Sequence, residues 1–413
     1  MNSVKKIASV SVVIALSQLL ALLSVPLITR LYSPEAFGYF ASMLSVAYIV
    51  GSLASFRFDK MVIVEKDDTR KLAAFCCATF SIFMVSIVVL VVGLGLYHLL
   101  NYFDATIVLL VFGSILTYSL FQLLSNSYVS YGKPFISSFM KLGQVTLFIV
   151  LQLVFPLVLS PSDITLALAF SLSNLIIVLI SLVGLRDRYK KVQVEHIADY
   201  FKETVNQSTK GALSNLFNTA SVQFVPILIT SLFSPVLAGY YALAHRLMAA
   251  PMSLVSQSMN QVLAPKIRDS LSSNGQEMYR NVRVITLISI TMFAFILLAL
   301  LILGENGFSI IFGEEWANSY IYCILISIWM FSSSLSSPFS YVSIILKKEG
   351  FNLLFQFSML TLRVLAVWVG SIFGGLYLSI VMLVSVSVIL NLSYFIISIK
   401  FAGLNLKEIF YVQ

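Results

Sequence analysis

The chain has 413 residues, of which 59% are hydrophobic and only 11% charged, with a formal net charge of +8. Soluble domains carry about 25% charged residues, so this chain cannot clothe a water-facing surface and reads as an integral membrane protein. Its basic excess does not indicate nucleic acid, because most Lys and Arg fall in the connections between apolar runs.

A bilayer-spanning helix takes about 20 mostly apolar residues. In chain order, such runs lie at 7–30, 37–56, 72–95, 106–129, 135–159, 162–185, 209–232, 236–262, 282–304, 318–346, 351–373 and 375–399. The first follows Lys5 and Lys6, like a signal peptide. It is too long for one and lacks a small-residue cleavage site near Arg30-Leu31-Tyr32, so it is expected to be retained. With the N-terminus in the cytoplasm, 22 of the 26 Lys and Arg fall in inside connections. A missed helix would invert every later loop, so this bias predicts twelve spans with both termini cytoplasmic.

The halves resemble one another. Val25-Pro26 and Ser33-Pro34-Glu35-Ala36-Phe37-Gly38-Tyr39-Phe40-Ala41 return as Val225-Pro226 and Ser234-Pro235-Val236-Leu237-Ala238-Gly239-Tyr240-Tyr241-Ala242. Six spans per half bring both in from the same side, a parallel repeat with its substrate site between halves. The expected division is an N-terminal six-helix bundle at 1–185, a linker at 186–208 and a C-terminal six-helix bundle at 209–413. In the linker, Val194, Ile197, Ala198, Phe201 and Val205 follow helical spacing, with Glu195, Asp199, Lys202 and Glu203 on other faces. That pattern predicts an amphipathic helix on the cytoplasmic surface. Pro26, Pro226, Pro251 and Pro338 inside spans predict bends.

Charges within spans cost about 2.5–3.5 kcal/mol each on insertion scales, so they face protein or water. Lys141, Arg246 and Arg363 lie within spans, Arg30 and Arg57 at span ends, and no Asp or Glu is as deep; Asp59 comes closest. A cavity lined by such cations suits a crossing anion, and these five are the candidate substrate-binding residues. Polar residues share helix faces with several of them. Ser45, Tyr48, Ser52, Ser55 and Asp59 mark span two, Lys141, Gln144 and Gln152 span five, and Asn215, Asn218 and Thr219 span seven. Arg246, Ser253, Gln257 and Asn260 mark span eight. Tyr48, Ser52, Gln144, Asn215, Asn218, Gln257 and Asn260 are therefore expected to line the cavity, where they can hydrogen-bond sugars. Hydrogen bonding between helices is the alternative use of such residues.

Cys76, Cys77 and Cys323 lie in apolar segments and the three histidines are scattered, so no metal site or cofactor is expected. The outside connections are short, without a nucleophile motif or paired catalytic carboxylates. No catalytic residue is expected.

Several strings together resemble the polysaccharide transporters of the multidrug/oligosaccharidyl-lipid/polysaccharide (MOP) exporter superfamily, more narrowly the flippases of O-antigen or capsule repeat units. They are Thr29-Arg30-Leu31-Tyr32-Ser33-Pro34-Glu35-Ala36-Phe37-Gly38, then Phe56-Arg57-Phe58-Asp59-Lys60-Met61-Val62-Ile63-Val64 with Lys66-Asp67-Asp68. Tyr241-Ala242-Leu243-Ala244-His245-Arg246-Leu247 with Pro251, Gln261-Val262-Leu263-Ala264-Pro265-Lys266, Ile311-Phe312-Gly313-Glu314-Glu315-Trp316 and Ser337-Pro338 follow. His245 departs from the more usual Tyr. The resemblance implies an all-α polytopic membrane protein with twelve transmembrane helices in two six-helix bundles, V-shaped around a cationic cavity. It further implies flipping of undecaprenyl-diphosphate-linked oligosaccharide across the bacterial inner membrane by alternating access, without bond chemistry. Membrane lipid, a polysaccharide polymerase and a chain-length regulator would be its partners, and nucleic acid would not. Arg30, Arg57 and Arg246 lie in the matching motifs. The competing readings are a drug/cation antiporter of the same superfamily and a membrane polysaccharide polymerase or ligase.

Overall fold

The structure, a computed structural model, describes residues 3–100, 104–185, 194–251, 275–339 and 348–401. Every regular element among them is helical, and ten helices are long and apolar enough to cross a bilayer. Cα proximity divides the chain into two compact units, Met1–Ile227 and Leu228–Gln413.

In the first unit, α1 (Ser3–Leu23) gives way at Ser24 to the short α2 (Val25–Thr29). Pro26, in the first turn of α2, has no N–H to continue the α1 ladder, which places the break where a bend is expected. Helix α3 (Pro34–Ala54) starts with Ser33 Oγ accepting from Ala36 N at 3.3 Å and Pro34 at its first position. It ends in a tight corner where Phe56 and Arg57 both take left-handed backbone angles, φ 46° and 61°. The short α4 (Phe58–Val64) follows. Its Phe58 and Val62 are buried against Ala73, Ala74 and Cys77 of α5 (Asp68–Leu100) and Leu123 of α6 (Ala105–Ser130). The burial of Phe58 and Val62 holds the strained corner in place.

Helix α5 leaves Phe80, Phe83, Met84, Ile87, Val88, Val91 and Val92 exposed at helical spacing, an apolar face suited to lipid. Gly132, at φ 71°, turns α6 into α7 (Pro134–Val154), and Ser125 and Ser137 hydrogen-bond at 2.7 Å across this antiparallel pair. Helix α8 (Asp163–Leu185) packs on α6 and α7.

Helix α9 (Val194–Leu232) runs unbroken for 39 residues from the linker into the seventh apolar run. The expected bend at Pro226 does not interrupt it. Between 215 and 226 it bonds to α3: Asn215 Nδ2 donates to Ser52 O, Ser45 Oγ to Gln223 Oε1, and Ser42 Oγ to Pro226 O. Within the linker, Ile197 and Tyr200 pack into the α4–α5 core. Tyr200 Oη donates to Glu65 at 3.0 Å, and Arg70 forks onto Glu203 at 3.1 and 3.2 Å. Residues 186–193 lie outside the described residues.

In the second unit, α10 covers 235–251, with Pro251 its last described residue. Leu237 N donates to Ser234 Oγ at 3.2 Å, the same Ser-Pro cap as at Ser33, so the sequence repeat is also a repeat of local structure. Helix α11 (Gly275–Phe312) breaks at Gly304, φ 59°. A 3-10 turn, Glu314–Trp316, then buries Trp316 against Tyr240. Helix α12 (Ser319–Ser336) ends by tightening into a 3-10 turn at Ser337–Phe339, where Pro338 sits. The 53-residue α13 (Glu349–Phe401) leaves helical geometry at Gly374 and Gly375. Its arms fold back on one another: Ser379 Oγ donates to Val367 O, and a Cβ on Gly370 would lie 2.4 Å from the Ser379 Cα. Only glycine permits that approach.

A polar cavity in the first unit

Two adjoining cavities lie within the first unit, about 220 and 330 Å³ in volume, sharing Tyr48, Tyr118, Gln122 and Thr219. They form where the polar faces of α3, α6 and α9 meet; α7 and α8 add to the second. The inward stripe of α3 supplies Tyr48, Ser52 and Ser55, four and three residues apart. Helix α6 supplies Tyr118 and Gln122, and four residues farther along the same face Asn126 bonds to Asp59 and Lys60. Helix α9 supplies Asn215, Thr219 and Gln223. Each set recurs at helical spacing, so each helix turns one wet face to the cavities.

The first cavity holds Arg57, Asp59 and Lys60. The left-handed corner delivers Arg57, whose guanidinium donates to Gly211 O on α9 at 3.4 Å. Asp59 is 9% exposed; it accepts from Ser55 Oγ at 2.6 Å and Asn126 Nδ2 at 2.8 Å. Lys60 Nζ lies 3.8 Å from the Asp59 carboxylate and donates to Asn126 Oδ1 at 3.4 Å. Ser119 Oγ also lines this cavity, buried and without a hydrogen-bond partner among the described residues.

The second cavity holds Lys141, Gln144 and Asn174, with Phe121 and Phe170. No Asp or Glu is among its lining residues. Lys141 is half-buried and makes no ion pair or hydrogen bond among the described residues. Gln144 Nε2 donates to Ser173 at 3.4 Å. Tyr48, Tyr118 and Phe170 pack edge-on and tilted, with the Tyr48 and Tyr118 centroids 4.9 Å apart. Amides, hydroxyls, aromatic walls and cations together can bind a sugar that carries negative groups.

Of the sequence-derived residues, Arg57, Lys141, Tyr48, Ser52, Gln144 and Asn215 line these cavities. Arg30 is exposed after α2, and Asn218 is exposed on another face of α9; neither lines them. Arg246 and Arg363 belong to the second unit. Arg246 is half-buried on α10. Arg363 is 4% exposed; its Nε donates to Ser387 Oγ at 3.0 Å, and its guanidinium lies over the Trp329 ring at 4.9 Å. Gln257 and Asn260 lie outside the described residues. Tyr118, Gln122 and Asn126 were not anticipated, although their spacing of four on one α6 face carries the signal.

An apolar exterior around a charged, sugar-compatible cavity defines a multi-pass membrane protein. Its fold is that of MOP transporters. An inward-facing multidrug resistance MATE transporter of that superfamily superposes with TM-score 0.67 at 13% identity, over 95% of this chain and 98% of its own. The Vibrio cholerae MATE transporter VcmN in its bent form gives TM-score 0.58 at 14% identity, over 100% of both chains. No curated protein sequence matches the chain. The family model for polysaccharide biosynthesis proteins matches residues 27–321, and the chain belongs to that family.

Proposed function

We propose that this protein flips a lipid-linked oligosaccharide, its sugars joined to undecaprenyl through a diphosphate, from the cytoplasmic to the outer leaflet of the bacterial inner membrane. The observation that carries this reading is the cavity pair in the first unit, where Arg57, Lys60 and Lys141 outnumber Asp59 among sugar-compatible side chains. The family's link to polysaccharide biosynthesis supports a glycan-bearing substrate, and the MOP fold supports movement by alternating access. We read the two arms of α13 as separate spans and α10 as a further one, which supports a twelve-span arrangement in two six-helix bundles. The diphosphate is held by cations while the polyprenyl tail stays in lipid. A membrane potential negative inside favours outward passage of the anion by about 2.3 kcal/mol per charge per 100 mV. The product feeds O-antigen, capsule or exopolysaccharide assembly.

Deletion of the gene tests this directly. Lipid-linked repeat units are expected to accumulate in the cytoplasmic leaflet; unchanged outer-leaflet exposure refutes the proposal. Asp59, a buried acid in the cavity, favours a second reading as a cation antiporter. Resistance to cationic dyes conferred on a sensitive host, and lost in Asp59→Asn, would select it.

A further inference from the structure

Helix α9 carries a glycine that its own geometry does not call for. Gly211 lies in the interior of the helix, where glycine is less favourable than any residue but proline. Its φ is not positive, so no turn requires it. A close neighbour does. The three atoms nearest to a Cβ on Gly211 would all belong to the Arg57 stem: Cδ at 3.4 Å, Nε at 3.5 Å and Cγ at 4.0 Å. The Arg57 guanidinium donates to the carbonyl of the same glycine at 3.4 Å. Stem and charged end both rest on bare helix backbone.

This seat faces the site. Gly211, Asn215, Thr219 and Gln223 follow one another at intervals of four on one face of α9. The last three line the cavities, and Gly211 continues their face one turn toward the linker. Arg57 reaches it from the left-handed corner, at φ 61°. Asp59, two residues on, does not hold the guanidinium: it accepts from Ser55 and Asn126 and stands 3.8 Å from Lys60. Among the described residues the Gly211 carbonyl is the one hydrogen-bond partner of Arg57. A long side chain that meets a ligand from many rotamers loses freedom in doing so. A stem already laid against backbone loses less, and binding is tighter for it.

We infer that Gly211 is a positioning residue for anion binding. Its missing side chain is the groove in which the Arg57 stem lies, with the guanidinium held at the wall of the first cavity for the diphosphate. This rests on the lipid-linked reading above and adds to it a residue that has no side chain of its own. An alanine methyl would stand in contact with the stem. Valine has two γ carbons and a stiff χ1, so it cannot turn both away and pushes Arg57 off its seat.

A double-mutant cycle tests this, read by calorimetric titration of the full-length protein in lipid nanodiscs with farnesyl diphosphate. Arg57→Ala removes stem and charge together and should weaken binding about tenfold, the weight of one charge-assisted contact. Gly211→Ala should weaken it about twofold and Gly211→Val about fivefold, in order of bulk. In the Arg57→Ala background, Gly211→Val should change binding by less than about twofold, because the group it displaces is gone. Gly211→Leu, a better helix former, replaces the valine variant if that does not fold. Wild-type affinity in the bulky variant overturns the inference. Equal weakening by it in both backgrounds also overturns it, because bulk at 211 then acts on α9 and not through Arg57. In both cases the lipid-linked reading stands as long as Arg57→Ala weakens binding. Failure of wild type to bind the probe, or full affinity in Arg57→Ala, refutes the cation assignment of that reading itself.

Discussion

Asn126 touches opposite charges with the two ends of one amide, donating to Asp59 and accepting from Lys60. It thereby bridges the carboxylate and the ammonium, which stand 3.8 Å apart. Asn126→Asp is nearly isosteric and sets a second carboxylate beside the first. It is expected to weaken binding of farnesyl diphosphate about tenfold in calorimetric titration, because one added charge offsets one cation. Unchanged binding would remove Lys60 from the site. The α3 stripe was legible in the sequence because Ser, Tyr and Asp repeat within an apolar run. The α6 face was not, since Tyr counts as apolar there and lone Gln or Asn side chains look like ordinary interhelical bonds. The corner at Phe56 and Arg57 has no glycine to announce it, so its left-handed backbone became visible only with the fold. Arg30 came from its motif at the outer end of span one, and a position along the chain does not tell which way a side chain faces.

At the scale of an element, α9 joins a water-side network to a membrane span. Of the apolar face expected from sequence periodicity, Ile197 packs in the α4–α5 core while Ala198 and Phe201 are exposed, and Tyr200, from outside that stripe, joins the core. The Arg70 fork to Glu203 is solvent-exposed on both sides and adds little in water. Buried Tyr200, 3% exposed, is the anchor. Tyr200→Ala is expected to cost about 3 kcal/mol locally and to speed hydrogen exchange across 197–208. Glu203→Ala should leave exchange there nearly unchanged. The reverse ranking would make the ion pair the fastening. The sequence could not supply this detail, because which surface covers an apolar stripe depends on partners distant in the chain.

For the whole molecule, the apolar runs made the membrane helices legible in the sequence, while the packing partners come from the fold. The charge bias predicts both termini on the cytoplasmic side. Reporter fusions at residues 1 and 413 should fluoresce as green fluorescent protein and stay inactive as alkaline phosphatase; active phosphatase at either end would reverse that orientation. The hairpin of α13 bears on how the chain enters its membrane. Its arms are joined by two glycines with no polar connector, and Phe373 beside the turn is 77% exposed. If the leading arm partitioned alone, it would carry Arg363 into hydrocarbon before Ser387 had left the ribosome, at a cost of about 2.5–3.5 kcal/mol. Closing the hairpin and sheltering the Arg363 guanidinium from lipid are therefore one event.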